Sequence, residues 1–319
     1  MPQKISTRVA YGQALAECGA DENLVVFDAD LSICTMSCIF RDRYPERFFE
    51  AGIAEGNMVG MAAGMASTGK TVFCNSFAMF IAGRAYDQIR NSVAYPHLNV
   101  KIVGTHAGLS VGEDGATHQC IEDLALMRVV PGMTVVCPSD ANETKEAVRA
   151  VAAYDGPCYL RLGRLAVEPV TELPGYRFQL GKGVVLREGS DVALIATGLM
   201  VQEAMEAADM LRPKGIHARV IDLHTIKPID RDLVRKAAFE TGAVVTAEEH
   251  NILGGLGGAV SEIVASSCPV PVLRVGVEDR FGHSGPASEL MERYGLTANH
   301  IARQAERAVK MKKGSPENS

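Results

Sequence analysis

The stretch "TVFCNSFAMFIAGRAYDQIRNSVAYPHLNVKIVGTHAG", residues 71–108, decides the fold. Two short runs rich in apolar and β-branched residues, TVFCNSF (71–77) and VKIVGTHAG (100–108), flank a longer stretch of helical pattern. Strand, helix and strand in that order imply a right-handed crossover and parallel strands covered on both faces. The alternation extends outward through LVVFDAD (24–30), MTVVCPSD (133–140) and CYLRLG (158–163). It starts again at DVALIATG (191–198), HARVIDL (217–223), AVVTAEEH (243–250) and VPVLRVGV (270–277). The expected class is therefore α/β, with two doubly wound parallel-sheet domains. Between the two sets, AVEPVTELPGYRFQLG carries two prolines and loses helical periodicity, so residues 166–181 are expected to be a linker. That leaves 1–165 and 182–309 as domains, with 310–319 (KMKKGSPENS) a disordered tail.

Composition narrows the function. A chain of 319 residues that is 47% hydrophobic can bury two ordinary cores. A net charge of −6 with scattered lysines and arginines argues against a nucleic-acid partner. The start lacks an apolar core of signal-peptide length, and no long uninterrupted apolar run suggests a membrane span, so a cytoplasmic protein is expected. The eight cysteines lie mostly within apolar runs and imply no disulfide framework, and Cys34 and Cys38 lack C-x-x-C spacing.

In an open parallel sheet, ligands bind beyond the carboxyl ends of the strands. Those positions here are Asp28 and Asp30, Phe77, His106, and Ser139 with Asp140; in the second domain they are Gly198 and the EEHN run. The loop THAGLSVGEDGATHQ (105–119) gathers His106, Glu113, Asp114 and His118 among glycines. Those residue types suit acid–base work, a metal site or an ordinary polar loop. In AGIAEGNMVGMAAGMASTG (51–69) the single charge is Glu55, with nothing nearby in sequence to neutralise it. It reads either as a carboxylate favoured by a helix dipole or as a functional acid. Gly56, Gly60 and Gly64 recur every four residues, which predicts a helix face packed closely on a partner across a subunit boundary. Phe77 and Phe80 are core residues or an aromatic wall for a flat ring. GGLGG (254–258) misses dinucleotide-fingerprint spacing and reads as helix-to-sheet packing; no Walker A run occurs.

Taken together, GIAEGNM, SFAMF, GEDGATHQ and PSD resemble the pyrimidine-binding domain of transketolases, and EEHNILGGLG is similar to their carboxyl-terminal domain. Deoxyxylulose-phosphate synthase shares the GIAE and DGATHQ patterns, and the β subunits of 2-oxo-acid dehydrogenases share the domain plan. The resemblance implies transfer of a two-carbon ketol unit from a ketose phosphate to an aldose phosphate, with thiamine diphosphate as cofactor. It implies that Glu55 bonds the aminopyrimidine ring and activates the cofactor, with Phe77 and Phe80 forming the ring's pocket and Asp30 near the cofactor at the subunit junction. It gives Asp114 and His118 to substrate hydroxyls and proton transfer, and Arg8, His106, Arg164 and Cys34 to the anionic end of the sugar phosphate. Cys34 stands where serine is common, and Gly56 where glutamine is usual. The family's GDG run, which holds the diphosphate through Mg2+ (or Ca2+), does not occur here. The resemblance therefore implies a split transketolase, with an N-terminal diphosphate-binding subunit as partner and self-association into a heterotetramer of two copies each. No metal ligand is expected in this chain. Other readings are a split transketolase for a sulfonated or branched ketose, a 2-oxo-acid dehydrogenase β subunit, or a non-catalytic regulatory partner.

Overall fold

The computed structural model describes residues 3–312. Its strands begin with β1 (Ile5–Ser6), β2 (Leu24–Asp28), β3 (Phe48–Glu50), β4 (Thr71–Phe77), β5 (Val100–Thr105), β6 (Thr134–Val136), β7 (Cys158–Arg161) and β8 (Ala166–Val167). They continue with β9 (Val184–Arg187), β10 (Val192–Ala196), β11 (Ala218–Asp222), β12 (Thr225–Lys227), β13 (Val244–Asn251) and β14 (Val272–Val277). The first sheet has seven strands in the order β12-β6-β7-β5-β4-β2-β3, and the second has five in the order β14-β13-β10-β11-β9. Pairing inside both sheets is parallel, as the alternation of strands and helices requires. β2, β5 and β10 are buried along their whole length; β10 (VALIA) reads as a continuous apolar run and β2 as one broken only by its final Asp28, while β5 also buries Lys101, whose ammonium donates to the Tyr154 and Gly156 carbonyls.

Two antiparallel edges depart from the all-parallel expectation. β9 pairs with β11, and β12 leaves the second half of the chain to pair with β6 of the first sheet, Thr225 opposite Val136. The reason is burial: Ile226 lies in the same apolar core as Val135 and Met127, and that core runs on to Val244 and Val260 of the second domain. The two sheets thus share a core across their junction.

The stretch expected to be the linker packs onto the first domain. β8 pairs antiparallel with β1, Ile5 opposite Val167. Thr171 is fully buried, and its N–H and hydroxyl both donate to the Asp140 carboxylate, each at 2.7 Å. The final helix, Ala298–Lys312, runs three residues into the expected tail; the Lys312 ammonium reaches the Thr241 carbonyl at 2.5 Å and so caps a neighbouring helix end. Residues 313–319 of that tail lie outside the described residues. No helix among the described residues is long and apolar enough to cross a membrane.

Candidate active site

Asp28 ends β2 and is fully buried, and its carboxylate accepts hydrogen bonds from the Leu31 N–H (2.7 Å), the Thr35 hydroxyl (2.7 Å) and the Ser37 hydroxyl (2.8 Å). Burial pushes its carboxyl up to about 6 despite these donors. The bonds shape the turn that carries Asp30 and Cys34. Asp30 is exposed and takes φ +62°, a left-handed backbone, and its N–H donates to Glu50 Oε1 at 2.6 Å. Two strands away, across β4, His106 follows β5 with φ +55°. Non-glycine residues in this region cost of order 1–3 kcal/mol each and gather at functional sites.

The end of β4 supplies the aromatic wall. Phe77 stacks on Phe80 (centroids 5.7 Å, planes 24° apart) and on the His106 ring (4.0 Å, 29°). His118 meets Phe80 edge-on at 5.1 Å and Phe77 at 6.3 Å. His106 is held neutral, its imidazole pushed down to about 3 first by burial and then by Arg8, Arg164 and His118. Its Nε2 faces Arg8 Nη1 at 3.5 Å; since guanidinium only donates, Nε2 is the acceptor and the ring proton sits on Nδ1, 3.0 Å from the Thr105 hydroxyl.

Two arginines flank this wall. Arg8 donates to the Cys34 carbonyl at 2.8 Å, so the backbone of residue 34 meets the guanidinium, while Arg8 Nε is buried without a hydrogen-bond partner. Arg164 donates to the Val111 carbonyl and lies 3.6 Å from Glu113 Oε2. The Gly163 N–H donates to the Thr7 hydroxyl at 2.9 Å, tying together the two segments that carry these cations.

Glu55 opens the helix Glu55–Ala66 and is 3% exposed. It is not the unneutralised charge that its local sequence suggested. Arg84, 29 residues on, donates to Glu55 Oε1 at 3.1 Å, and its guanidinium lies 4.2 Å over the Phe80 ring. The ion pair and the cation–π contact offset the cost of burying the carboxylate and tie Glu55 to the aromatic wall. Arg84 is the site residue that sequence reasoning missed; the signal was its place four residues after Phe80 on one helix face.

The structure thus brings together Glu55, Phe77, Phe80, His106, His118 and Arg8, with Cys34 engaged through its carbonyl. Asp30 and Asp114 sit on the exposed rim. Asp114 ends the 3-10 turn Leu109–Asp114, between Gly112 (φ +85°) and Gly115 (φ +77°). Among the described residues no three His, Cys, Asp or Glu side chains gather as a metal site. The glycine run near residue 255 serves packing, with Glu248 accepting from the Leu256 and Gly257 N–H groups at 2.7 Å each. The glycine face at 56, 60 and 64 divides: a Cβ at Gly56 would lie 3.3 Å from Gln88 Oε1 of the same chain, whereas Gly60 and Gly64 face open space.

Two family models match the chain, the transketolase pyrimidine-binding domain over residues 3–169 and the transketolase C-terminal domain over 181–301. The chain belongs to the transketolase family. A Methanocaldococcus jannaschii protein named for the transketolase C-terminal section is 51% identical, the match covering 93% of this chain and 94% of that protein. The 6-deoxy-6-sulfo-D-fructose transketolase subunit of a Clostridium species is 44% identical, with 92% and 90% covered. A solved structure described as a split gene transketolase, inactive beta4 tetramer, superposes with a TM-score of 0.89 at 50% identity, covering 97% of this chain and all of that one. This chain is a subunit of the transketolase family of transferases, whose cofactor is thiamine diphosphate. The site suits that group: Arg84 engages only one oxygen of the buried Glu55 carboxylate, beside two stacked phenylalanines, which fits a flat ring with polar edge atoms.

Proposed function

We propose that this chain forms the pyrimidine and sugar-phosphate side of a transketolase, and that a partner subunit holds the cofactor's diphosphate through Mg2+ (or Ca2+). When bound, thiamine diphosphate would supply the carbon nucleophile for transfer of a two-carbon ketol unit from a ketose phosphate to an aldose phosphate. The observation that carries this reading is the buried Glu55, tied through Arg84 to Phe80 and so to the two histidines. Glu55 holds a proton against a ring nitrogen, and Phe77 and Phe80 exclude water from the ring's face. His106, neutral at working pH, serves as a hydrogen-bonding group rather than a cation. His118 and Asp114 exchange protons with and orient substrate hydroxyls, and Asp30 lines the junction with the partner. Arg8 and Arg164 hold the anionic end of the sugar, since guanidinium forks bind phosphate oxygens bidentately.

We take residues 1–165 and 182–309 as the two domains, joined by 166–181, and two copies of each subunit as the working assembly. We assign the reaction to the cytoplasm, a reducing compartment in keeping with the eight free thiols. A second reading has one observation of its own. The Cys34 thiol is a weak donor beside Arg8, and a relative is named for a sulfonated ketose, so a sulfonated donor is the alternative to a phosphorylated one. The test is steady-state turnover of the chain with its partner subunit over phosphorylated and sulfonated ketoses. A higher kcat/KM for xylulose 5-phosphate or fructose 6-phosphate supports the first reading; a preference for 6-deoxy-6-sulfofructose replaces it with the second.

A further inference from the structure

The loop that carries Asp114 and His118 belongs to the first domain, but the second domain holds its root. Glu249, on β13, is 4% exposed. Its backbone carbonyl accepts from Arg161 at 2.8 Å, and Arg161 is itself bonded to the buried Asp123 at 2.8 Å. From this fixed base the Glu249 carboxylate reaches across the junction and accepts the Ser110 N–H at 2.5 Å. The same carboxylate occupies the space where a Cβ at position 108 would stand, and Gly108 has φ +85°, so both contact and backbone require glycine there. At the other end of the loop, the Gln119 amide donates to the Gly112 carbonyl at 3.1 Å and to the His283 carbonyl of the second domain at 3.0 Å. The Asn251 N–H donates to the Ile121 carbonyl at 2.7 Å. The root is buried and clamped, while Glu113 and Asp114 at the tip are exposed.

We propose that Glu249 is a positioning residue for turnover: anchored in the second domain, its carboxylate sets the 108–119 loop and so where Asp114 and His118 meet the ketose. This rests on the roles given to Asp114 and His118 above. It assigns the second domain a part in the reaction, exerted through the root of the loop. A misplacement of about 1 Å can cost on the order of 100-fold in rate, so a clamp on the loop root is a strong lever.

The test compares Glu249→Ala and Glu249→Gln with wild type. Glutamine keeps an oxygen that can accept the Ser110 N–H, and alanine does not. In the full chain, amide hydrogen exchange across 108–119 should quicken in Glu249→Ala and stay near wild type in Glu249→Gln. With the partner subunit, Glu249→Ala should lower kcat/KM for xylulose 5-phosphate by about 10- to 100-fold, with recovery in Glu249→Gln. Proton exchange at the thiazolium C2 of bound thiamine diphosphate, which reports on Glu55, should be unchanged in both, a separation that general destabilisation would not produce. Gly108→Ala, which drives a methyl group into the same carboxylate, should reproduce the alanine signature and serves if Glu249→Ala does not fold. Wild-type loop exchange in Glu249→Ala would overturn the inference. So would quickened exchange with unchanged turnover, and Asp114→Ala and His118→Ala then locate the failure. If those variants lose turnover, the role given to Glu249 is wrong; if they retain it, the roles given to the loop residues are wrong.

Discussion

Glu55 and Arg84 show how much a residue's meaning depends on what the fold brings to it. Read along the chain, Glu55 is a lone charge among small apolar residues; in the structure it is buried against a guanidinium that also covers Phe80. Replacing it with glutamine removes the charge and little volume, so Glu55→Gln should keep its melting temperature while thiazolium C2 exchange falls by about 10²–10⁴, the usual worth of a general acid–base group. Exchange at the wild-type rate would leave Glu55 only as a charge at a helix start. Cys34 gives a second test. Arg8 bonds its carbonyl, so Cys34→Ser leaves that contact intact and reports on the Sγ position alone. If the donor is an ordinary ketose phosphate, the hydroxyl adds a charge-assisted bond of roughly 1.5–3 kcal/mol. The KM for xylulose 5-phosphate should then fall about tenfold. A rise in KM for that sugar points to the sulfonated donor. Phe77 and His106 were legible because they follow strand ends, where open sheets bind ligands. Arg84 was not, because its partner lies 29 residues earlier and only the strand-to-helix turn brings the two together.

At the scale of elements, the helix Glu55–Ala66 separates two jobs along one face. Its start delivers Glu55 to the site, and Gly56 packs against Gln88 within the chain, while Gly60 and Gly64 present bare backbone to solvent. Mid-helix glycine costs roughly 0.5–1 kcal/mol relative to alanine, so open glycines with nothing near them make sense where another backbone comes close. Gly60→Gln and Gly64→Gln should therefore leave the chain as stable as wild type or more so, yet shift its sedimentation toward smaller species. Unchanged assembly in both variants would remove this face from the interface. The parallel strands were readable because burial on both faces leaves a largely apolar run, as in β2 and β10. The edge strands β9 and β12 were not: each is short, and only tertiary pairing decides its partner. How the linker packs was hidden for a related reason. Prolines and lost periodicity did mark the end of helical structure, but Thr171 and β8 still dock on the first domain.

At the scale of the whole molecule, the junction between the halves carries both the proposed clamp on the substrate loop and a buried acidic cluster. Glu143 accepts from the Ser139 N–H at 2.6 Å and from the Tyr176 hydroxyl, and Asp140, Asp222 and Glu143 are all fully buried. Burial pushes Glu143 up to about 7, and burial together with Glu143 pushes Asp222 above the usual carboxylate range. The folded state therefore holds protons that the unfolded chain releases at lower pH. This contribution is fully present below the ordinary carboxylate range and is lost as pH rises through about 7. Wild type should melt at a lower temperature at about pH 8 than at about pH 5, and Glu143→Gln should fall less over the same range. An equal fall in both would mean the cluster is not what titrates. The central claim is that this chain holds half of a transketolase site, and the measurement that tests it most directly is turnover and thiamine diphosphate binding with and without the partner subunit. The chain alone, given cofactor and Mg2+, should bind thiamine diphosphate weakly and transfer nothing, and addition of the diphosphate-binding subunit should restore both. Sustained transfer from xylulose 5-phosphate to ribose 5-phosphate by this chain alone would contradict the account.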